Sequence, residues 1–109
     1  MILMVMAPHS AGAAAKDDVS AATQAWIDAM NSRDPDKVVA LYDSDAVLWG
    51  TVSPTIRDTR QTIQEYFNFL RTAPPEYKIV LGEQRIRTYG DIGLNTGTYT
   101  VFIVRDGKP

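Results

Sequence analysis

Apolar residues in the first third of the chain recur every three or four positions, which is the spacing of one helix face. The stripe consists of Val19, Ala22, Trp26, Ile27 and Met30. This spacing predicts a first helix over residues 17–32. After a break, Asp34 can cap a second short helix and Pro35 can take its first position. That helix is predicted to end near residue 42. Its inner face would consist of Val38, Leu41 and Tyr42.

The middle of the chain reads as a brief strand followed by a third helix. Residues 46–49 are apolar and follow an acidic turn at Asp45, which predicts the strand. Asp58 is placed to cap the third helix, and Gln61 three positions later completes a capping-box pattern. The predicted buried stripe of this helix consists of Ile63, Tyr66, Phe67 and Leu70. The proline pair at 74–75 ends it.

The remainder of the chain has the alternation typical of β-strands. Residues 77–81 and 84–89 alternate, and Gly82 between them indicates a bulge. Gly90 and Asp91 predict a turn into a long strand over 92–104 that is rich in Thr, Val and Tyr. Helices followed by a run of strands predict an α+β fold rather than a parallel doubly wound sheet.

Both ends of the chain carry signals of their own. Residues 2–7 form an apolar run, and small residues follow up to Ala13 and Ala15. This pattern predicts that 1–16 is the remnant of an export signal, with a disordered tail of a cytoplasmic protein as the alternative. The Asp-Gly pair at 106–107 predicts a hairpin turn, so at least one further strand is expected beyond Pro109, with pairing by a strand of another chain as the alternative.

The composition of the chain excludes several classes of binding partner and of catalytic or metal site. The net charge is −2 with acids and bases interspersed, which argues against nucleic-acid and anionic-membrane partners. The chain has no Cys and a single His, His9, in the N-terminal tail. Thiolate nucleophiles, imidazole-based triads and the usual Cys or His metal sites are therefore excluded from the folded part. We expect no metal and no cofactor.

The segment AWIDAMNSRDPDKVVALYDSDAV at residues 25–47 resembles the opening of the nuclear transport factor 2-like superfamily. Its pattern is a helix, a short break, a second helix ending in an aromatic residue, and an acidic turn before a strand. Ile56-Arg57-Asp58 before a helix with Tyr66 and Phe67 is similar to the entry of the family's third helix. Within the superfamily the chain most resembles SnoaL-like proteins and the association domain of calcium/calmodulin-dependent kinase II.

The resemblance implies a cone-shaped, curved antiparallel sheet wrapped by three N-terminal helices, over residues 17–109. It also implies a homodimer or higher oligomer formed through the outer face of the sheet. The last two strands of such a cone would follow Pro109. The catalytic Asp and Tyr of ketosteroid isomerase, an enzyme of this superfamily, fall at Gly50 and Trp26. Neither residue can do that proton chemistry, so isomerase activity is disfavoured and enzyme function stays open.

In such a cone, inward residues near the mouth both build the core and line a pocket. The candidate ligand-pocket residues are Trp26, Tyr42, Trp49, Ile56, Arg57, Tyr66, Leu70 and Tyr99. The alternative for the aromatic members is an ordinary core. Arg57 is also a candidate loop anchor that pairs with Asp45 or Asp58.

Arg85 and Arg87 lie two positions apart and therefore share one strand face. If that face pointed inward, the two guanidinium groups could bind a carboxylate ligand. Alternation favours the opposite arrangement, with Ile86 inward and both arginines outward.

Two functions remain open. The first is a SnoaL-like cone that binds a small apolar or carboxylate ligand. The alternative is a non-catalytic association module that resembles the kinase II association domain, with another copy of itself as the partner.

Overall fold

The computed structural model describes residues 11–103, with side chains described from residue 15 onward. Its elements are three helices and then two antiparallel strands, in the predicted order except for the short strand expected between the second and third helices. The helices are α1 (Ala11–Asn31), α2 (Pro35–Val39) and α3 (Arg60–Phe67), with a 3-10 helix at Asn68–Thr72. The strands are β1 (Lys78–Tyr89) and β2 (Ile92–Phe102). The α+β class is thereby confirmed, whereas the cone shape stays a prediction.

Contacts divide the described chain into two units. Residues 11–27 and Ile79–Val101 form the first unit, which holds most of α1 and the hairpin. Residues 102–103 and Asp28–Lys78 form the second, which holds α2, α3 and the loops around them. Each unit has its own set of interactions.

In the first unit, α1 lies against one face of the hairpin. An added Cβ at Gly93 would collide with a methyl group of Val19, so helix and strand approach closely there.

Side chains of β1 alternate in burial, but the alternation changes phase across Gly82 and Glu83. Two successive outward positions are the mark of a bulge, which agrees with the prediction made from Gly82. Gly90, with φ 61°, makes the predicted turn.

In the second unit, the core is formed by one face of each helix. Its buried side chains are Ala29, Met30, Val38, Val39, Ile63, Phe67, Leu70 and Tyr77. Arg60 at the start of α3 donates to the carbonyl oxygens of Val39 and Tyr42, both at 3.2 Å. These bonds connect the start of α3 to the turn that follows α2, where the Val39 carbonyl also accepts from the Tyr42 backbone N–H at 3.0 Å.

Several element boundaries differ from the sequence predictions. The first helix begins at Ala11 rather than 17, because the alanine-rich segment before Lys16 is a strong helix former. The second helix ends at Val39, and Leu41 is 48% exposed, so its predicted place on the inner face was wrong. Residues 46–49 form no strand, only an isolated bridge between Leu48 and Arg57.

The cap of the third helix was also predicted one residue too early. Thr59, not Asp58, is the N-cap, and its hydroxyl accepts from the Thr62 backbone N–H at 3.1 Å. The Thr62 hydroxyl serves as the second half of the capping box, in the role expected of Gln61.

Residues 1–10 and the Asp-Gly pair at 106–107 lie outside the described residues, so the export signal and the last turn stay predictions. No helix in 11–103 is long and apolar enough to cross a membrane.

We expect Phe67→Ala to destabilise the second unit strongly. Phe67 is 2% exposed and contacts the rings of Tyr42 and Tyr66 at 5.7 and 5.0 Å between centroids. Loss of a buried Phe costs about 3–5 kcal/mol of unfolding free energy. The neighbouring Phe69, at 42% exposure, is the matched control, and its alanine variant should lose less than half as much. Urea unfolding measures both, and equal losses would contradict this account of the core.

Candidate functional site

A groove of about 200 Å³ lies in the first unit, between α1 and the hairpin. The helix contributes Thr23, Trp26 and Ile27. The strands contribute Leu81, Gln84, Asn95, Gly97, Thr98 and Tyr99. Leu81 and Gln84 both reach the groove only because the bulge shifts the alternation of β1 between them. The bulge therefore shapes this site.

Two aromatic rings form the apolar wall of the groove. Trp26 and Tyr99 meet with ring centroids 5.6 Å apart and planes inclined at 57°. Tilted pairs of this kind are favourable because the edge of one ring faces the electron-rich face of the other. The predicted pocket residues Trp26 and Tyr99 are thus brought together.

A polar cluster lies beside these rings. The side-chain amide nitrogen of Asn95 donates to Thr23 Oγ1 and to Gln84 Oε1, both at 2.8 Å. Thr23 in turn donates to the carbonyl of Val19 at 2.9 Å. Asn95 Oδ1 is buried and has no hydrogen-bond partner in the described part of the chain. A buried acceptor without a donor is unfavourable and uncommon in folded proteins.

The sequence reading missed Asn95 and Gln84. One signal was present, since Asn is disfavoured in strands and Asn95 stands in the middle of an otherwise β-forming segment. Thr23 lies one helical turn before Ile27, at the edge of the apolar stripe of α1. The register of the hairpin decides which strand residues face Thr23. Hydrophobic alternation along one strand does not give that register across a bulge.

A second cluster lies in the other unit, around the loop at residues 50–57. Arg57 Nε donates to Ser53 Oγ at 2.9 Å, and its Nη1 donates to the carbonyl of Thr62 at 2.8 Å. Its guanidinium carbon lies 5.6 Å from the ring centroid of Tyr66. Arg57 therefore anchors the loop through neutral oxygens and an aromatic face. The predicted pairing with Asp45 or Asp58 is replaced by these contacts.

Trp49 and Gly50 belong to the same loop cluster. Trp49 is 67% exposed, and its indole Nε1 donates to the carbonyl of Ser53 at 3.1 Å. A Cβ at Gly50 would collide with the Tyr66 ring, so only glycine allows that ring to lie against the loop. The position that matches the catalytic Asp of ketosteroid isomerase is thus a glycine that packs against Tyr66.

The other predicted pocket residues have different surroundings. Tyr42 is half-buried against Phe67, and Ile56 is 54% exposed. Leu70 is 1% exposed and belongs to the core of the second unit. In the described residues no three Asp, Glu, His or Cys side chains gather as a metal site would require.

Arg85 and Arg87 lie on the exposed face of β1, whereas Ile86 between them is half-buried. Arg85 pairs with Glu83 at 3.2 Å, in an ion pair whose partners are both largely exposed. Neither arginine lines the groove. The outward arrangement favoured by alternation is the one observed.

The order of helices followed by an antiparallel hairpin agrees with the nuclear transport factor 2-like class. A sequence model of the calcium/calmodulin dependent protein kinase II association domain matches residues 15–108, and the chain belongs to that family. Of the solved structures, 21 chains match significantly. One, from Xanthomonas campestris and provisionally described as such an association domain, is 27% identical with a TM-score of 0.60. The match covers 84% of this chain and 78% of that one. No curated protein matches significantly.

We expect Arg57→Lys to loosen the loop at 50–57. A lysine cannot make the two directed bonds of the guanidinium group together, so about 1–2 kcal/mol of unfolding free energy should be lost. Arg87→Lys, on the exposed face of β1, is the matched control and should stay within about 0.5 kcal/mol. Thermal and urea unfolding compare the two, and indistinguishable losses would show that Arg57 is no anchor.

Proposed function

We propose that this chain is a self-association module, whose partner is a second copy of the same chain. The family match over residues 15–108 carries the proposal, because the family is named for association. The related Xanthomonas campestris structure is described provisionally by the same domain name. The exposed apolar surface of the hairpin supplies a physical basis for such contact.

That surface is the face of the hairpin turned away from α1, which we call the association face. Asn95 and Tyr99 of β2 contact α1, so the alternate positions Ile92 and Leu94 point to the other side. They are 60% and 53% exposed. On β1, the corresponding apolar residues are Val80, at 42%, and Tyr89, at 60%.

The composition of the association face suits a protein partner. Protein interfaces combine apolar and aromatic side chains with Arg, and the face holds Tyr89 together with Arg85 and Arg87. Clustered exposed apolar residues mark contact surfaces more often than isolated ones do. A two-stranded sheet is also only marginally stable by itself, so covering one of its faces stabilises it.

We expect Leu94→Glu to lower the molar mass measured by light scattering after size exclusion. A carboxylate buried between two copies would lose its hydration, and pairing with Arg87 would offset that cost only in part, which opposes association. The two-residue turn places Arg87 opposite Leu94, so Leu94→Arg adds a like charge beside it and should act more strongly.

Val52→Glu is the matched control for this experiment. Val52 is 80% exposed in the loop at 50–57, and the variant introduces the same charge away from the association face. Its molar mass should equal that of the unmodified chain, with circular dichroism confirming that all variants fold. A monomeric unmodified chain, or equal masses for every variant, would refute association through this face.

The groove in the first unit supports a second candidate function, the binding of a small molecule with an apolar body. The observation that favours it is the aromatic wall of Trp26 and Tyr99 beside a buried acceptor that lacks a donor. Binding of this kind is compatible with self-association, because the groove and the association face lie on opposite sides of the hairpin.

The chain has two tryptophans, which makes this second function easy to test. Trp26 lines the groove and Trp49 lies in the other unit, so each indole N–H signal in a nitrogen-15 NMR spectrum reports on one place. One-ring compounds at millimolar concentration should shift the Trp26 signal and leave the Trp49 signal in place. Equal shifts of both signals, or none, would count against the groove.

A further inference from the structure

The polar side of the groove has a fixed hydrogen-bonding pattern. The hydroxyl hydrogen of Thr23 is used by the carbonyl of Val19, so Thr23 can only accept from Asn95. This bond fixes which end of the Asn95 amide is nitrogen and which is oxygen. The unpartnered atom is therefore an acceptor, Oδ1, and not a donor.

Gln84 beside it has the complementary property. Its Oε1 accepts from Asn95 at 2.8 Å, and its amide nitrogen Nε2 donates to no group in the described part of the chain. The two side chains lie on the neighbouring strands β1 and β2, and together they have one acceptor and one donor without a partner in this part of the chain. A ligand that matches both would carry a donor and an acceptor close together.

The rest of the groove restricts the ligand further. Among the described residues, its lining includes Trp26, Leu81 and Tyr99 but no Asp, Glu, Lys or Arg. A charged ligand would lose its hydration there without gaining an opposite charge. The volume of about 200 Å³ suits a single ring with one substituent, since a protein cavity of about 150 Å³ holds benzene.

We propose that the groove binds a neutral, one-ring carboxamide or a molecule of equivalent chemistry. This inference deepens the ligand-binding function proposed above and rests on it. The ligand ring packs on Trp26 and Tyr99, its carbonyl accepts from Gln84 Nε2, and its N–H donates to Asn95 Oδ1. Because Oδ1 is covered from solvent, the groove side chains must shift for that bond to form.

Three probes of similar size separate the contributions of the ring, the hydrogen-bonding groups and the charge to binding. Benzamide carries both the donor and the acceptor, benzoate has the same shape but is an anion without a donor, and toluene has neither group. Titration of the nitrogen-15-labelled chain, followed at the Trp26 indole, gives a dissociation constant for each. We expect benzamide to bind about tenfold more tightly than either of the others, the effect typical of pairing a buried polar group.

The variant Gln84→Glu replaces the free donor with an oxygen and keeps the bond that Oε1 accepts from Asn95. Benzamide should then bind about tenfold more weakly. Gln61→Glu makes the same change at an exposed position of α3 in the other unit and should leave benzamide affinity unchanged. The comparison of probes on the unmodified chain holds even if Gln84→Glu does not fold.

Each outcome has a distinct meaning. Toluene that binds as tightly as benzamide would overturn the carboxamide inference and leave small-molecule binding intact. Benzoate that binds more tightly than benzamide would overturn it as well and would restore a carboxylate ligand. If no probe shifts the Trp26 signal, both the inference and the groove function fail, whereas self-association is decided separately by light scattering.

Discussion

The hydrogen bonds of the Asn95 side-chain amide join all three elements of the first unit. One amide group on β2 reaches Thr23 on α1 and Gln84 on β1. Apolar packing of α1 on the hairpin is not directional, whereas these two bonds require one register of helix against strands. The position of Trp26 over Tyr99, and hence the groove, follows from that register. The unpartnered Oδ1 is the unfavourable consequence of the same arrangement.

The second unit is stabilised in a different way. Most of its buried residues are apolar and come from the helices, and rings from Tyr42 to Tyr77 contact one another in series. Its polar contacts lie at the margins, where Arg60 binds the turn after α2 and Arg57 anchors the loop at 50–57. The exposed ion pair of Arg71 with Asp36 contributes little, because water screens it. The stability of the first unit therefore depends more on buried hydrogen bonds, and that of the second unit depends more on apolar packing.

The proposed self-association and the proposed ligand binding use opposite faces of the hairpin. The bulge at Gly82 and Glu83 lets Leu81 and Gln84 face α1 together. The regular alternation beyond it keeps Arg85, Arg87 and Tyr89 on the opposite face. One strand thus serves a groove on one side and an exposed apolar surface on the other. Family membership supports self-association more directly than it supports any ligand.

The sequence by itself determined the class, the order of the elements, the turn at Gly90, the bulge and the outward direction of Arg85 and Arg87. These features follow from short-range periodicity and backbone preference, which neighbouring residues express directly. Only the tertiary structure decided that Thr59 caps α3, that Leu41 is exposed and that Asn95 meets Thr23 and Gln84. Those outcomes depend on contacts between residues far apart in the chain, and no local pattern encodes the register that brings them together.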